Sequence, residues 1–263
     1  MRRDIRSVLA LEAAGPARVV LSVAASGARP GEESLTVAVD GEPVPVRELV
    51  DDHGTRLHEL EVPGGRIDVV YEATIDGRRA AVPVTDLDHL RYLRPSRYCE
   101  SDTLHPMAVA EAGERTGHDL LEFVSSWVGT QLAYVSGSSR PTDGAVATVL
   151  ARQGVCRDFA HVVVALLRTL DVPARVVSVY APGLEPMDFH AVAEALVDGE
   201  WWVVDATALA PRQTMVRIAT GRDAADTAFL TTIGDPVELV SMEVGAVADV
   251  LPRDDVRERV RLG

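Results

Sequence analysis

The stretch Gln153-Gly154-Val155-Cys156-Arg157-Asp158-Phe159-Ala160-His161 runs a glycine turn into a strongly apolar pattern. Phe159, Val162, Val163, Leu166, Leu167 and Leu170 recur at helix spacing, which predicts a helix buried on one face. Asp171-Val172-Pro173 ends it, because proline cannot continue a helix. Cys156 therefore falls in the first turn, where unpaired N–H groups and the helix dipole favour a thiolate. Downstream lie an isolated histidine, His190, and an isolated aspartate, Asp205, each beside an apolar run. A lone cysteine in such a helix is ordinary core packing. Cysteine, histidine and aspartate in that order suggest nucleophilic catalysis instead.

The chain itself places the second and third members. Ala191–Val197 and Glu200–Ala206 are apolar runs flanking Asp198-Gly199, a two-residue hairpin signal. In that register Val197 faces Glu200, Val192 faces Asp205 and His190 faces Thr207. Side chains alternate between faces, so His190, Val192, Glu194 and Leu196 share a face with Trp201, Val203 and Asp205. His190 and Asp205 are then diagonal neighbours roughly 7–8 Å apart along the backbone, within side-chain reach. Asp205 can hold one imidazole nitrogen and leave the other for a thiol. Cys156 must lie over the same sheet face for this to work.

Working outward, residues 1 to about 85 read as β. Ala17–Ser26, Ser34–Asp40, Arg56–Val62 and Arg66–Ile75 are short Val-rich runs separated by Gly, Pro and Asp, the pattern of a small sandwich or barrel. His53 and His58 lie in a polar stretch and are expected to be solvated. Helical spacing follows over Thr103–Arg115, His118–Tyr134 and Asp143–Arg152, with Asp143 a candidate cap. Further strands are expected at Arg175–Tyr180, Met215–Ala219 and Val237–Val247, with a short Arg222–Phe229 segment between the last two. The division expected is an N-terminal β-sandwich-like domain over 1–85, a connector over 86–102, a catalytic domain over 103–252, and a charged, frayed tail over 253–263.

Composition narrows the function. With 263 residues there is room for one large or two small domains. A formal net charge of −14 argues against nucleic acid and anionic membrane surfaces, both polyanions. All 26 basic residues are arginine, so the chain offers no lysine amine to an acyl-enzyme. Two cysteines, Cys99 and Cys156, make no disulfide framework and no zinc spacing. Met1-Arg2-Arg3 resembles the start of a signal peptide, but Glu12 and Arg18 break the apolar stretch, so no export signal is read and a cytoplasmic location is expected. No segment is long enough to span a membrane.

Gly154-Val155-Cys156-Arg157-Asp158-Phe159-Ala160-His161 followed by Val172-Pro173-Ala174-Arg175 resembles the bacterial transglutaminase-like superfamily. Asp188-Phe189-His190-Ala191 and Trp202-Val203-Val204-Asp205-Ala206-Thr207 resemble its histidine and aspartate motifs. Arg97–Asp102 and Gly221–Asp226 also resemble segments of bacterial members. The resemblance implies an α+β fold: a papain-like core, with the cysteine helix packed on an antiparallel sheet, preceded by a small all-β domain. It implies Cys156 as nucleophile, His190 as general base and acid, and Asp205 as the residue that orients the histidine. Members include crosslinking transglutaminases, cysteine peptidases, amidases and inactive scaffolds. Two positions depart from the family's usual pattern: Ala191-Val192 stands where Ala-Trp is common, and Ala206-Thr207 where Pro-Thr is common. The first alters a cleft wall and so bears on substrate preference.

The chemistry expected is acyl transfer or hydrolysis at amide bonds of a peptide or protein through a thioester, with no cofactor and no metal. The oxyanion is expected at the Cys156 backbone N–H plus a side-chain donor, for which Gln131 and Tyr134 are the candidates. Asp158 and His161 are expected to be structural partners, Cys99 a packed thiol, and Asp223 and Asp226 solvated acids, with no EF-hand spacing for calcium. Two other classes compete. The intact triad argues against a non-catalytic binding module on this fold. The lack of a Gly-rich loop or basic cluster argues against an N-acyltransferase using an acyl-CoA. The sequence is silent on oligomeric state.

Overall fold

Alternating side chains build the first half of the molecule. The computed structural model describes residues 1–80 and 83–263. It opens with β1 (Arg2–Ala13), β2 (Ala17–Leu21), β3 (Glu32–Val39), β4 (Glu42–Pro43), β5 (Arg47–Val50), β6 (Arg56–Val62) and β7 (Gly65–Asp76). Next come α1 (Asp86–Arg91), α2 (Ser101–Ala112), α3 (Gly117–Gln131), β8 (Ala133–Tyr134), α4 (Ala145–Ala151), β9 (Gln153–Gly154) and α5 (Cys156–Thr169). The chain ends through β10 (Ala174–Tyr180), β11 (His190–Val197), β12 (Glu200–Val204), β13 (Val216–Gly221), α6 (Ala224–Thr227), β14 (Leu230–Gly234) and β15 (Val237–Ala248). Among the described residues no helix is long and apolar enough to cross a membrane.

Two sheets form the sandwich, ordered β15-β1-β7-β3-β4 and β14-β2-β6-β5. Leu9, Leu11, Val19, Leu21, Leu60, Ile67 and Tyr71 fill the space between them. The division of the chain therefore differs from the expected one. β14 and β15, expected with the catalytic domain, pair with β2 and β1 and complete the sandwich. Pairing between distant strands leaves no local trace in sequence. The two units also share a core. Tyr180 of β10 is buried against Tyr71, and its hydroxyl donates to Val23 O at 2.8 Å.

Other expectations near the surface are corrected too. His58 is buried because β6 alternates, placing it on the inward side with Arg56, Leu60 and Val62. His53 is buried against Tyr92, with Asp88 at 3.5 Å from its Nε2. The tail is anchored rather than frayed. Val260 and Leu262 are buried, Val203 N–H donates to Val260 O, and Arg212 forks onto Asp254 at 2.8 and 3.0 Å. Asp143 does not cap α4; Gly144 occupies the cap and Asp143 closes a turn by accepting from Arg140 N–H.

The second unit is a four-stranded antiparallel sheet, β12-β11-β10-β13, with α5 on one side. The β11–β12 register is the one expected, from Val197 opposite Glu200 to Ala193 opposite Val204. α5 is more enclosed than one apolar face requires: every residue from Asp158 to Arg168 is buried. The sheet covers one side, and α2, α3 and α4 cover the rest. Arg168 is tolerated there because its guanidinium donates to the carbonyls of Ala174, Arg94 and Arg222.

Candidate active site

Cys156 is the first residue of α5 and is partly exposed. Two features fix the turn that presents it. Asp158, three residues on, accepts from Val155 N–H at 2.9 Å and from Ser139 Oγ at 2.9 Å, so the acid caps the helix start. Gly154 lies directly under that carboxylate: a Cβ there would stand 2.7 Å from Asp158 Cβ. Gly154→Ala is therefore expected to push Asp158 off its cap and cost about 2 kcal/mol. Urea denaturation measures this, and the same variant should also label more slowly at Cys156.

His190 begins β11 and is buried, and Asp205 follows β12 and is buried. His190 Nε2–H donates to Asp205 Oδ2 at 3.0 Å. The other carboxylate oxygen accepts from Thr207 N–H at 2.9 Å and Thr207 Oγ1 at 2.7 Å, which locks the Asp205 side chain. Helix α3 braces this turn. Gly129 approaches so closely that a Cβ would stand 2.8 Å from Ala206 O. Burial alone would push Asp205 up, but His190 and the Thr207 bonds hold it below the usual carboxylate range. Burial opposes a charged His190, yet Asp205 and then Cys156 outweigh it and raise the imidazole to about 10. Among the described residues His190 Nδ1 is buried without a hydrogen-bond partner.

The cysteine helix does not lie over the expected sheet face. Ala193, Ala195, Val197 and Val204 pack with α5, whereas Val192 and Val203 point the other way, toward Val177, Val179 and Met215. His190 begins β11 and Cys156 begins α5, and the thiol bears on the protonation of the imidazole, so strand end and helix end converge. A face rule cannot foresee an encounter at the ends.

Of the two oxyanion candidates, the structure brings only Tyr134 to this group. β8 runs parallel to β9, with Tyr134 opposite Gly154 and Val135 N–H donating to Gly154 O at 3.0 Å. The tyrosine hydroxyl is close enough to Cys156 that burial and then the thiol raise it to about 12, while the Cys156 backbone N–H opposes the shift. The Gln131 side chain is exposed and accepts from Arg152.

The neighbouring polar residues have other work. His161 is buried, stacks on Tyr98 and accepts from Ala224 N–H through Nε2 at 3.1 Å. Burial pushes it down to about 3, so it is a neutral strut between α5 and α6. Cys99 is fully buried, and burial pushes its thiol up to about 12, a poor nucleophile. Asp223 is buried rather than solvated, accepting from Ala225 N–H and Tyr98 N–H. Asp226 forks with Arg222. Among the described residues no group of three His, Cys, Asp or Glu is arranged to hold a metal.

The family model for the transglutaminase-like superfamily matches residues 107–206, which span Cys156, His190 and Asp205. The crystal structure of a "Putative Cysteine Protease" from Cytophaga hutchinsonii is 33% identical, covers 98% of this chain and 95% of that one, and superposes with a TM-score of 0.87. The periplasmic domain of TgpA from Pseudomonas aeruginosa is 16% identical with a TM-score of 0.44, covering 79% of this chain and 87% of that one. An uncharacterized protein of Mycobacterium leprae is 28% identical over 158 residues, 54% of each chain, so this chain spans about half the length of that curated relative. With one solved relative matched at this identity from end to end, and the family model spanning cysteine, histidine and aspartate, the chain belongs to the transglutaminase-like superfamily.

Proposed function

We propose that the protein is a cysteine-dependent enzyme that opens amide bonds of peptides or proteins through a thioester on Cys156. The observation that carries this is the buried His190–Asp205 pair, whose imidazole feels the Cys156 thiol at the start of α5 and keeps Nδ1 unpartnered. Nδ1 takes the thiol proton, and Cys156 Sγ attacks the amide carbonyl carbon. The carbonyl oxygen becomes an oxyanion, held by the Cys156 backbone N–H and the Tyr134 hydroxyl. As the C–N bond breaks, His190 returns the proton to the leaving amine. Water then attacks the thioester, giving its proton to His190, and the acid departs as the thiol re-forms. An amine in place of water gives a new amide, so hydrolysis and acyl transfer share every step up to the thioester.

The likeness to a structure described as a "Putative Cysteine Protease" supports the hydrolytic outcome. We propose a cytoplasmic location, which is supported by both cysteines being free, since a reactive thiol suits a reducing compartment.

The test has two arms. A peptide library should be cleaved, and a glutamine peptide with hydroxylamine should give hydroxamate if the acyl group passes to amines. Cys156→Ala should do neither. No turnover in either arm, with Cys156 labelled by iodoacetamide no faster than Cys99, would sink the proposal.

A further inference from the structure

Asp188 lies two residues before His190 and has no part in the steps above. Its position is fixed by its neighbour: the Phe189 ring packs against Tyr180 and Phe229 with centroids 5.5 and 5.4 Å apart. Phe189 N–H donates to Asp188 Oδ1 at 2.7 Å. The residue is exposed, and among the described residues no arginine or histidine lies within ion-pair distance of its carboxylate. Only Phe189 separates it from His190 in the chain. Partial burial lifts its carboxyl above the usual range, while the Phe189 N–H and then the charge on His190 hold it down, and its own charge bears on the Tyr134 phenol. Arg157, beside the cysteine, is bound to Ser139 Oγ and Arg140 O. Asp205 is matched by His190. Beside His190 the chain thus presents an anchored, exposed carboxylate with its second oxygen open to a ligand.

We propose that Asp188 is a specificity residue that favours substrates with a positive charge beside the reacting carbonyl, namely basic peptide segments. The proposal rests on Cys156 being the nucleophile. A net charge of −14 adds a longer-range attraction for the same partners. Asp188→Asn is a clean probe, since the amide oxygen keeps the bond from Phe189 N–H while the charge is lost.

The readout uses two methanethiosulfonates of similar size, one ending in trimethylammonium and one in sulfonate. Cys156 Sγ attacks the sulfenyl sulfur of either, a disulfide forms and methanesulfinate leaves. Peptide mapping assigns the label to Cys156 or Cys99. In the unmodified protein the cationic reagent should react faster. Asp188→Asn should lower the cation-to-anion rate ratio about five- to tenfold at low ionic strength, and less in salt. In the library screen, Arg or Lys should be enriched beside the cut, and Asp188→Asn should abolish the enrichment. An unchanged ratio in Asp188→Asn, with Cys156 still labelling rapidly, overturns the proposal and leaves the nucleophile standing. Slow labelling of Cys156 by both reagents in the unmodified protein overturns the nucleophile itself.

Discussion

His190→Ala should abolish turnover and slow the alkylation of Cys156 at pH 6 by about 100-fold. The magnitude follows from thiol chemistry: a thiol with no cationic partner is only about 0.3% thiolate at pH 6. Burial opposes a charged His190, but Asp205 and then Cys156 raise it to about 10, so the imidazolium persists at pH 6 as a cation beside the sulfur. Iodoacetamide labelling across pH with peptide mapping measures the effect. The unmodified protein should label at Cys156 at pH 6, and His190→Ala should label appreciably only above about pH 8. Fast labelling at pH 6 that survives His190→Ala would mean the helix dipole alone activates the thiol. The same pair contributes to stability in a definite pH window. His190 holds its proton more tightly when folded, so its contribution is complete below about pH 6.5 and is lost as pH rises through about 10. Asp205 is lowered on folding, so its share is lost in acid.

The residues of this site were legible in the sequence to the extent that local rules fix them. The Asp198-Gly199 hairpin gave the β11–β12 register, which brings Asp205 back beside His190. The glycine turn and the apolar period gave the helix that starts at Cys156. What the sequence withheld depends on contacts between distant segments. The return of β14 and β15 to the sandwich pairs residues more than two hundred positions apart, such as Val8 and Glu243. The parallel bridge that sets Tyr134 opposite Gly154 is two residues long, too short to carry a periodic signal. The enclosure of α5 on all sides has the same origin. His161, Asp158 and Arg168 interrupt its apolar pattern, which reads as one polar face, yet each is buried with partners from other elements. Asp223 fails the same way: its acid character suggested solvent, while the backbone N–H groups of Tyr98 and Ala225 take it into the core.

Glu194→Gln should strongly destabilise the unit built from α5 and its sheet. Glu194 is buried between two guanidiniums. Arg175 Nε donates to it at 2.8 Å, and Arg217 donates through both nitrogens at 2.9 and 2.6 Å. Arg175 also lies 3.8 Å over the Trp201 ring. The trio ties β10, β11 and β13 together, so one carboxylate holds three strands in place. Burial alone would push Glu194 up, but Arg217 and Arg175 pull it down to about 2. A glutamine keeps the shape and leaves two buried cations facing each other without a counter-charge. Breaking such a cluster costs about 3–5 kcal/mol, a large share of a typical stability of about 5–15 kcal/mol. For a chain of this size that corresponds to a fall in Tm of about 10 °C. The sign with pH is fixed by the lowered carboxyl. Its contribution is full above about pH 4.5 and is lost as pH falls toward 2, so the gap between Glu194→Gln and the unmodified protein should close in acid. Urea denaturation at pH 7 and pH 3 measures both. His190 stands four residues earlier on the same face of β11, so slack in that strand should also slow Cys156 labelling, linking a buried charge cluster to the reactivity of a thiol it never touches. Equal stability of the two proteins at pH 7 would show that water or a bound anion can replace the carboxylate between Arg175 and Arg217.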